Sequence, residues 1–260
     1  MDSKAKKRVE KLEIIDKKFI NDEYYILVLK SSDIPEIKPG QFVQMKVEGA
    51  ETIFLRRPIS VYEYNKEQNT LSLLIKIVGE GTRIPSLLEI GNKLDLIYPL
   101  GNGFSIPDGV KKALLIGGGV GTAPLLLQSK ALFENGVEIT IALGGRSKDH
   151  IIEKEKFLEY GELLITTDDG SEGEQALIIQ HSKIEKAFDE ADAVYTCGPE
   201  PMMKAVAEIA KSKNTYCEAS LENLMACGIG ACLCCVQNTT EGHKVVCTEG
   251  PVLDSSKIKW

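Results

Sequence analysis

Long apolar runs are missing from this 260-residue chain: no window holds the roughly 20 consecutive apolar residues a membrane-spanning helix needs, so no membrane role is expected. A surplus of positive charge is missing too. With 31 Lys and Arg against 38 Asp and Glu the net charge is -7, which leaves no basic face for nucleic acid. The lysines and arginine at the start (Lys4, Lys6, Lys7, Arg8, Lys11) alternate with Asp2 and Glu10 and read as a solvated terminus. Histidine is scarce. His150, His181 and His243 are the only three, and none stands in a motif with a nucleophile or a metal ligand, so the chemistry is left to cofactors. Charges also occupy the N-terminal positions where a secretory leader needs apolar residues, and seven cysteines suit a reducing compartment, so a cytoplasmic setting is expected.

Cysteine is what the chain has in concentration. Cys227, Cys232, Cys235 and Cys247 follow C-x4-C-x2-C-x11-C. Two irons bridged by sulfide need thiolates that reach both, and a tight glycine loop brings three cysteines together while a fourth arrives from elsewhere. The opening C-x4-C-x2-C has plant-type [2Fe-2S] spacing, and Gly228 and Gly230 suit the sharp turn. The last gap of 11 is short, so the fourth ligand should come from a nearby hairpin. Cys234, beside Cys235, is surplus and is expected to be a small buried thiol. Structural zinc is the alternative metal, but it favours two C-x2-C pairs and only Cys232 and Cys235 make one.

The chain is expected to divide into residues 1–102, 103–215 and 216–260, a multidomain arrangement of β followed by α/β. In the first part short apolar runs (Tyr24 to Leu29, Phe42 to Val47, Ile59 to Tyr62, Leu71 to Val78, Lys93 to Ile97) alternate with turn signals, which predicts an antiparallel barrel with one short helix near Ile84 to Leu88. Arg56-Arg57-Pro58-Ile59-Ser60 offers guanidinium and hydroxyl donors for a pyrophosphate, and Gly79-Glu80-Gly81-Thr82 offers backbone N–H groups and a hydroxyl. Taken singly, the first reads equally as an ion-paired face and the second as a turn.

In the second part Lys112 to Ile116 reads as a buried strand, Gly117 to Thr122 as a glycine turn and the residues to Asn135 as a helix. Further strands at Val137 to Leu143, Leu163 to Thr167 and Ala193 to Thr196 alternate with helices, which predicts an open parallel sheet. The glycine turn departs from the dinucleotide fingerprint, because Thr122 stands where its third glycine belongs. Gly144-Gly145-Arg146 replaces the acid that would mark NAD, so the pattern does not separate NAD from NADP. Cys197-Gly198-Pro199 lies at the carboxyl end of a predicted strand, where open sheets bind ligands.

With these motifs, which span nearly the whole chain, and with Thr167-Asp168-Asp169-Gly170-Ser171, Met225 to Cys232 and Cys247-x-x-Gly250-Pro251-Val252, the sequence resembles the electron-transfer subunits of two-subunit, NAD-dependent bacterial dihydroorotate dehydrogenases. That family belongs to the ferredoxin reductase superfamily and carries an added [2Fe-2S] domain. The resemblance implies FAD held by Arg57, Pro58, Ile59, Ser60, Lys76, Gly81 and Thr82. It implies NAD(H) received by Gly118, Gly119, Gly121, Thr122, Asp168 and Gly198, with Cys197 facing the reactive ring as the catalytic candidate. It also implies a [2Fe-2S] cluster on Cys227, Cys232, Cys235 and Cys247, and a partner: an FMN-containing catalytic subunit that oxidises dihydroorotate, assembled two plus two as a heterotetramer. Nicotinamide exchanges hydride and an iron–sulfur cluster single electrons, so a flavin is needed between them. Ile229, Leu233 and Val236 are candidates for the partner surface or for the small domain's own core. The nearest rival is the small subunit of electron-bifurcating ferredoxin:NADP oxidoreductases, in which the first cluster ligand is aspartate and not the cysteine found at 227; hydrogenase and sulfite reductase flavin subunits are further rivals. A zinc-clipped binding module without enzymatic activity is the alternative of another class. The cluster domain, lying over 100 residues beyond the flavin barrel, is expected to be separable from it.

Overall fold

The computed structural model describes residues 7–49 and 52–260; Lys4 and Lys6 of the lysine-rich start lie outside them. Six strands close an antiparallel barrel: β1 (Arg8–Phe19), β2 (Tyr24–Lys30), β3 (Phe42–Met45), β4 (Arg57–Asn65), β5 (Thr70–Lys76) and β6 (Lys93–Leu100), in the order β1-β2-β5-β4-β3-β6. The expected solvated start gives way to β1 from Arg8 onward. Only Leu12 and Ile14 of this strand are fully buried, so its charged neighbours conceal the alternation in the sequence. Gly79 to Thr82 is not a bare turn either: α1 (Glu80–Arg83) starts there, followed by a 3-10 turn at Ile84–Leu87.

Strand alternation gives this barrel an apolar outside as well as an apolar inside. On β2, Tyr25, Leu27 and Leu29 fill the barrel, while Tyr24 and Ile26 point outward into a core shared with Leu115, Leu126 and Phe104 of the next domain. On β3, Val43 and Met45 point inward; Phe42 points outward and packs with Met203, Cys235, Val246 and Cys247. Each such side chain contributes roughly 1.5–3 kcal/mol when fully buried, so the barrel is held to both neighbours by its own outer face.

The second domain is a seven-stranded sheet. It comprises β7 (Lys112–Gly118), β8 (Glu138–Gly145), β9 (Glu162–Thr167), β10 (Glu174–Gln175), β11 (Ala193–Cys197) and β12 (Tyr216–Ser220), with β15 (Val252–Asp254) added at one edge. The order is β10-β9-β8-β7-β11-β12-β15, parallel except for the β12/β15 pair. Crossovers run through α2 (Ala123–Glu134), α3 (Lys154–Leu158), α4 (Ile184–Glu190) and α5 (Glu200–Ser212), and α2 lies against β4 of the barrel. The chain order reverses at β7, which has β8 on one side and β11 on the other, and the glycine turn leaves its carboxyl end. That is the switch point at which open sheets bind ligands.

The C-terminal part holds the hairpin β13 (Val236–Thr239) and β14 (Gly242–Val245), then α6 (Val246–Glu249). It packs onto both other parts of the chain, more closely than chain distance alone would lead one to expect. β12 continues the nucleotide sheet, β15 returns to pair with it, Leu221 N–H donates to Pro251 O (2.9 Å), and Asn102 Nδ2 donates to Glu249 O (2.9 Å). Distance along the chain is a poor guide here because the last residues fold back onto the linker after β6. Among the described residues no helix is long and apolar enough to cross a membrane.

Candidate functional site

A cavity of about 340 Å3 runs along the outside of the barrel. Arg57, Pro58, Ile59, Ser60, Lys76 and Thr82 all line it, so two sequence stretches and the end of β5 converge on one place. The arginine pair divides. Arg56 Nη2 bonds Asp95 (2.8 Å) and its Nη1 donates to Gln44 O and Asp95 O, which is the ion-paired role, whereas Arg57 reaches the cavity. Gly81 does not line the cavity but makes room for Arg57: a Cβ there would stand 2.3 Å from Arg57 Nε. The Thr82 hydroxyl closes its own turn, accepting from Val78 N–H (2.9 Å) and donating to Gly79 O (3.1 Å). Arg57 and Lys76 thus supply two cations and Ser60 a hydroxyl along an otherwise largely apolar wall, a donor set suited to a flavin with its pyrophosphate. Leu221, Asn223, Met225 and Pro251, which follow β12 or flank the cluster loop, line the same cavity.

A second cavity, of about 470 Å3, lies over the carboxyl ends of β7, β8 and β9 and is lined by Gly118, Gly119, Arg146, Asp168 and Met202 among others. The buried Tyr24 hydroxyl on its wall has no partner among the described residues and lies 3.8 Å from where a Gly119 Cβ would be, so a polar atom and a glycine opening face one space. Gly121 and Thr122 do not line it. Thr122 Oγ1 donates to Gly119 O (3.0 Å), and a Cβ on Gly121 would meet Gly198 Cα at 2.5 Å and Cys197 O at 2.6 Å. They shape the turn and its packing on β11. Because the obstructing atoms are backbone, Gly121→Ala is expected to destabilise the fold by ~1–3 kcal/mol, read by thermal unfolding; an unchanged midpoint would contradict this packing.

Lys76, Val120 and Glu222 line both cavities, so the two meet there. Lys76 Nζ sits 5.3 Å above the Tyr24 ring and 3.4 Å from Glu23. Glu222 also lines a third space, of about 360 Å3, together with Gly198, Pro199 and Trp260. It stands exposed where all three spaces open, and the protein walls around it push its carboxyl above the ordinary range by desolvation. Glu222 was not singled out in the sequence. The signal for it is position, two residues beyond β12 at the carboxyl end of a parallel strand, and β12 is not among the strands that the apolar runs predict. Cys197 is fully buried and lines none of the three spaces; its Sγ lies 4.0 Å from Glu222 Oε1. Burial, with the Glu222 charge, pushes its thiol well up, which keeps it protonated and unsuited to nucleophilic attack.

The four motif cysteines converge as two pairs. Ile229, Ala231 and Cys232 N–H donate to Cys227 Sγ at 3.5, 3.3 and 3.4 Å, and Cys232 also offers its side chain to Cys227. Led by the Ile229 N–H, these donors hold the Cys227 thiol down at about 6. The Val236–Val245 register of the hairpin sets Cys235 beside Cys247: Cys247 N–H donates to Cys235 Sγ (3.3 Å), and Gly230 N–H donates to Cys247 Sγ (3.2 Å). Burial pushes the Cys247 thiol up to about 12. Among the described residues no three metal-ligating side chains gather about one point. A two-plus-two arrangement bordered by backbone N–H groups fits a two-iron cluster, each iron taking two thiolates, better than one tetrahedral ion. Cys234 is exposed rather than buried, because Leu233, at φ 58°, turns the chain outward before it. Cys234→Ala should therefore keep full iron and sulfide content by chemical assay, and loss of iron would contradict this ligand set.

Comparison with known proteins adds to this geometry. Residues 222–259 match the family described as iron-sulfur cluster binding domain of dihydroorotate dehydrogenase B, and residues 115–208 match the oxidoreductase NAD-binding domain family. The chain is 37% identical over 255 residues to the dihydroorotate dehydrogenase B (NAD(+)) electron transfer subunit of Streptococcus mutans, covering 96% of this chain and 97% of that one. It is 41% identical over 224 residues to the subunit of the same name from Caldanaerobacter subterraneus, covering 85% and 86%. Among solved structures it superposes with a TM-score of 0.85 and 32% identity on a chain of an NADH-dependent reduced ferredoxin-NADP oxidoreductase, covering 96% of this chain and 90% of that one. A ferredoxin reductase of carbazole 1,9a-dioxygenase, 20% identical with a TM-score of 0.69, shares the fold.

Proposed function

The chain belongs to the family of electron-transfer subunits of dihydroorotate dehydrogenase B, and from that premise we propose that it carries electrons from a dihydroorotate-oxidising, FMN-bearing catalytic subunit to NAD+ in pyrimidine biosynthesis. The observation that carries the reading is the meeting of the two cavities at Lys76, Val120 and Glu222, with residues of the cluster segment in the wall of one of them. The barrel, the parallel sheet and the C-terminal segment are assigned in turn to FAD, NAD(H) and the cluster, with boundaries near 102 and 215.

Arg57, Ser60 and Lys76 would hold FAD, with Pro58 and Ile59 shaping its pocket and Gly81 and Thr82 setting Arg57 and the floor beneath it. Gly118, Gly119 and Asp168 would receive the nicotinamide nucleotide. Gly121, Thr122, Gly198 and Cys197 support that turn from behind, with Cys197 a buried, protonated thiol. Cys227, Cys232, Cys235 and Cys247 would hold the [2Fe-2S] cluster. When bound, FAD supplies the exchange between a two-electron hydride carrier and a one-electron cluster. The chain's own contribution is placement: the glycine turn leaves room for one ring beside the other, the apolar walls exclude water, and the cations near the flavin cavity offset phosphate charge.

The reading of the partner surface follows from exposure. Leu224, Ile229 and Leu233, all in the segment leading into or forming the cluster loop, stand in solvent, which favours a docking face over a core role for Ile229 and Leu233. The assembly is proposed as two copies of each subunit. The rival ferredoxin-NADP oxidoreductase reading keeps the same fold but feeds the cluster from a different partner. Co-expression with the FMN-bearing subunit separates them. Anaerobic dihydroorotate should bleach the flavin and cluster absorbance of the complex, and a complex bleached by NADH alone would overturn the assignment.

A further inference from the structure

We propose that the side-chain amide of Gln44 donates a hydrogen bond to sulfur of the iron–sulfur centre and so sets its reduction potential from within the flavin barrel. The inference rests on the reading of Cys227 to Cys247 as the cluster site. Gln44 is completely buried, and among the described residues neither Nε2 nor Oε1 has a hydrogen-bond partner. Its main-chain carbonyl accepts from Arg56 Nη1 (3.2 Å), so the orphaned groups are those of the side chain. A buried amide left unpaired is costly, and such an orphan in a packed core calls for a partner.

The surroundings say where that partner lies. Gln44 is two residues along β3 from Phe42 and so projects from the same outer face, the face on which Phe42 packs with Cys235 and Cys247. It meets Gly228, the residue after Cys227: a Cβ there would stand 2.4 Å from Gln44 Cγ and 2.9 Å from Nε2. Gly228 has φ +69° and no side chain to interpose, so the amide reaches the backbone of the cluster loop. Gln44 does not line the flavin cavity, and of its two amide atoms Nε2 is the one set against Gly228. Among the described residues, and apart from the side chain of the ligand Cys232 itself, the other donors to these thiols, from Ile229, Gly230, Ala231, Cys232 and Cys247, are backbone N–H groups that no side-chain substitution removes. Gln44 supplies a side-chain donor to the same centre, from a strand whose neighbour holds Arg57 to Ser60 and whose register pairs Gln44 with Pro58.

Hydrogen bonds to sulfur favour the more negative, reduced form of a cluster and raise its potential. Removing one should therefore lower the reduced-to-oxidised ratio at fixed poise. The test is a redox titration of the full chain in complex with its catalytic subunit, with the cluster followed by electron paramagnetic resonance and FAD by absorbance. Gln44→Leu should keep its iron and sulfide and lower the cluster's reduced-to-oxidised ratio by about three- to tenfold, tenfold being 59 mV for one electron, while the FAD midpoint stays put. Gln44→Met, of similar length but with no N–H to donate, carries the test if Gln44→Leu fails to fold, and should lower the ratio to the same extent. An unchanged cluster midpoint in an iron-replete variant, or a shift of the FAD midpoint in place of the cluster's, would overturn the proposal. Wild-type protein without iron and sulfide would instead overturn the cluster reading, on metal content and before any potential is measured.

Discussion

Cys247→Ala is expected to abolish electron transfer between the catalytic subunit and NAD+, by about a thousandfold or more, equivalent to ~4 kcal/mol, and also to loosen FAD. Cys227→Ala should cause the same loss of transfer with FAD retained. The difference follows from where the two thiols sit. Cys227 is half-buried in a loop whose neighbours Ile229, Cys232 and Leu233 face solvent. Cys247 is fully buried in the core that Phe42 and Leu100 of the barrel share with Met203 and Val246. Truncating it leaves a hole in that core, and α6 leads directly into Gly250 and Pro251, the latter a wall of the flavin cavity. NADH-dependent dye reduction, which needs FAD but not the cluster, should therefore survive in Cys227→Ala and fall in Cys247→Ala. Equal FAD content in the two purified variants would contradict the shared core.

Gly81→Val is expected to weaken FAD binding about a hundredfold, ~2.7 kcal/mol, with little effect on the stability of the flavin-free chain. The atoms a Cβ at 81 would strike are Arg57 Nε, Cζ and Nη2, the far end of a flexible side chain, which can swing away without moving the backbone. What is lost is the position of the guanidinium in the cavity. Arg57→Ala should produce a similar loss, and the double variant should be little worse than either, because both changes remove one interaction. Isothermal titration of the deflavinated proteins with FAD gives all three values. Additive losses would show that Gly81 acts on FAD by some route other than Arg57.

Much of the architecture was legible in the sequence because burial on one or both strand faces writes itself as apolar runs: Tyr24 to Leu29 and Leu71 to Ile75 are strands inside and contact surfaces outside. β1 was hidden because its buried pair, Leu12 and Ile14, is interleaved with charged residues that face water. The cysteine spacing was legible because thiolate ligation tolerates few geometries, and the hairpin expected from the short last gap is present as β13 and β14. What the sequence concealed were long-range returns. β15 pairs with β12, Met225 and Pro251 enter the flavin wall, and Glu222 stands where three spaces meet. None of these has a local signature, since each depends on which distant segment packs opposite. Cys197 shows the reverse case. Its place at a strand end was read correctly, but strand alternation buries its side chain, so the residue at the conspicuous position is not at the cavity surface.

FAD in the barrel cavity is proposed as the obligatory link between nicotinamide and the cluster. Its most direct test is anaerobic NADH added to the purified complex before and after FAD is removed from this chain, with the cluster followed by electron paramagnetic resonance and its integrity checked with dithionite. NADH should reduce the cluster in the flavin-replete protein and leave it oxidised, though still reducible by dithionite, once FAD is gone. Reduction of the cluster by NADH in the protein lacking FAD would contradict it.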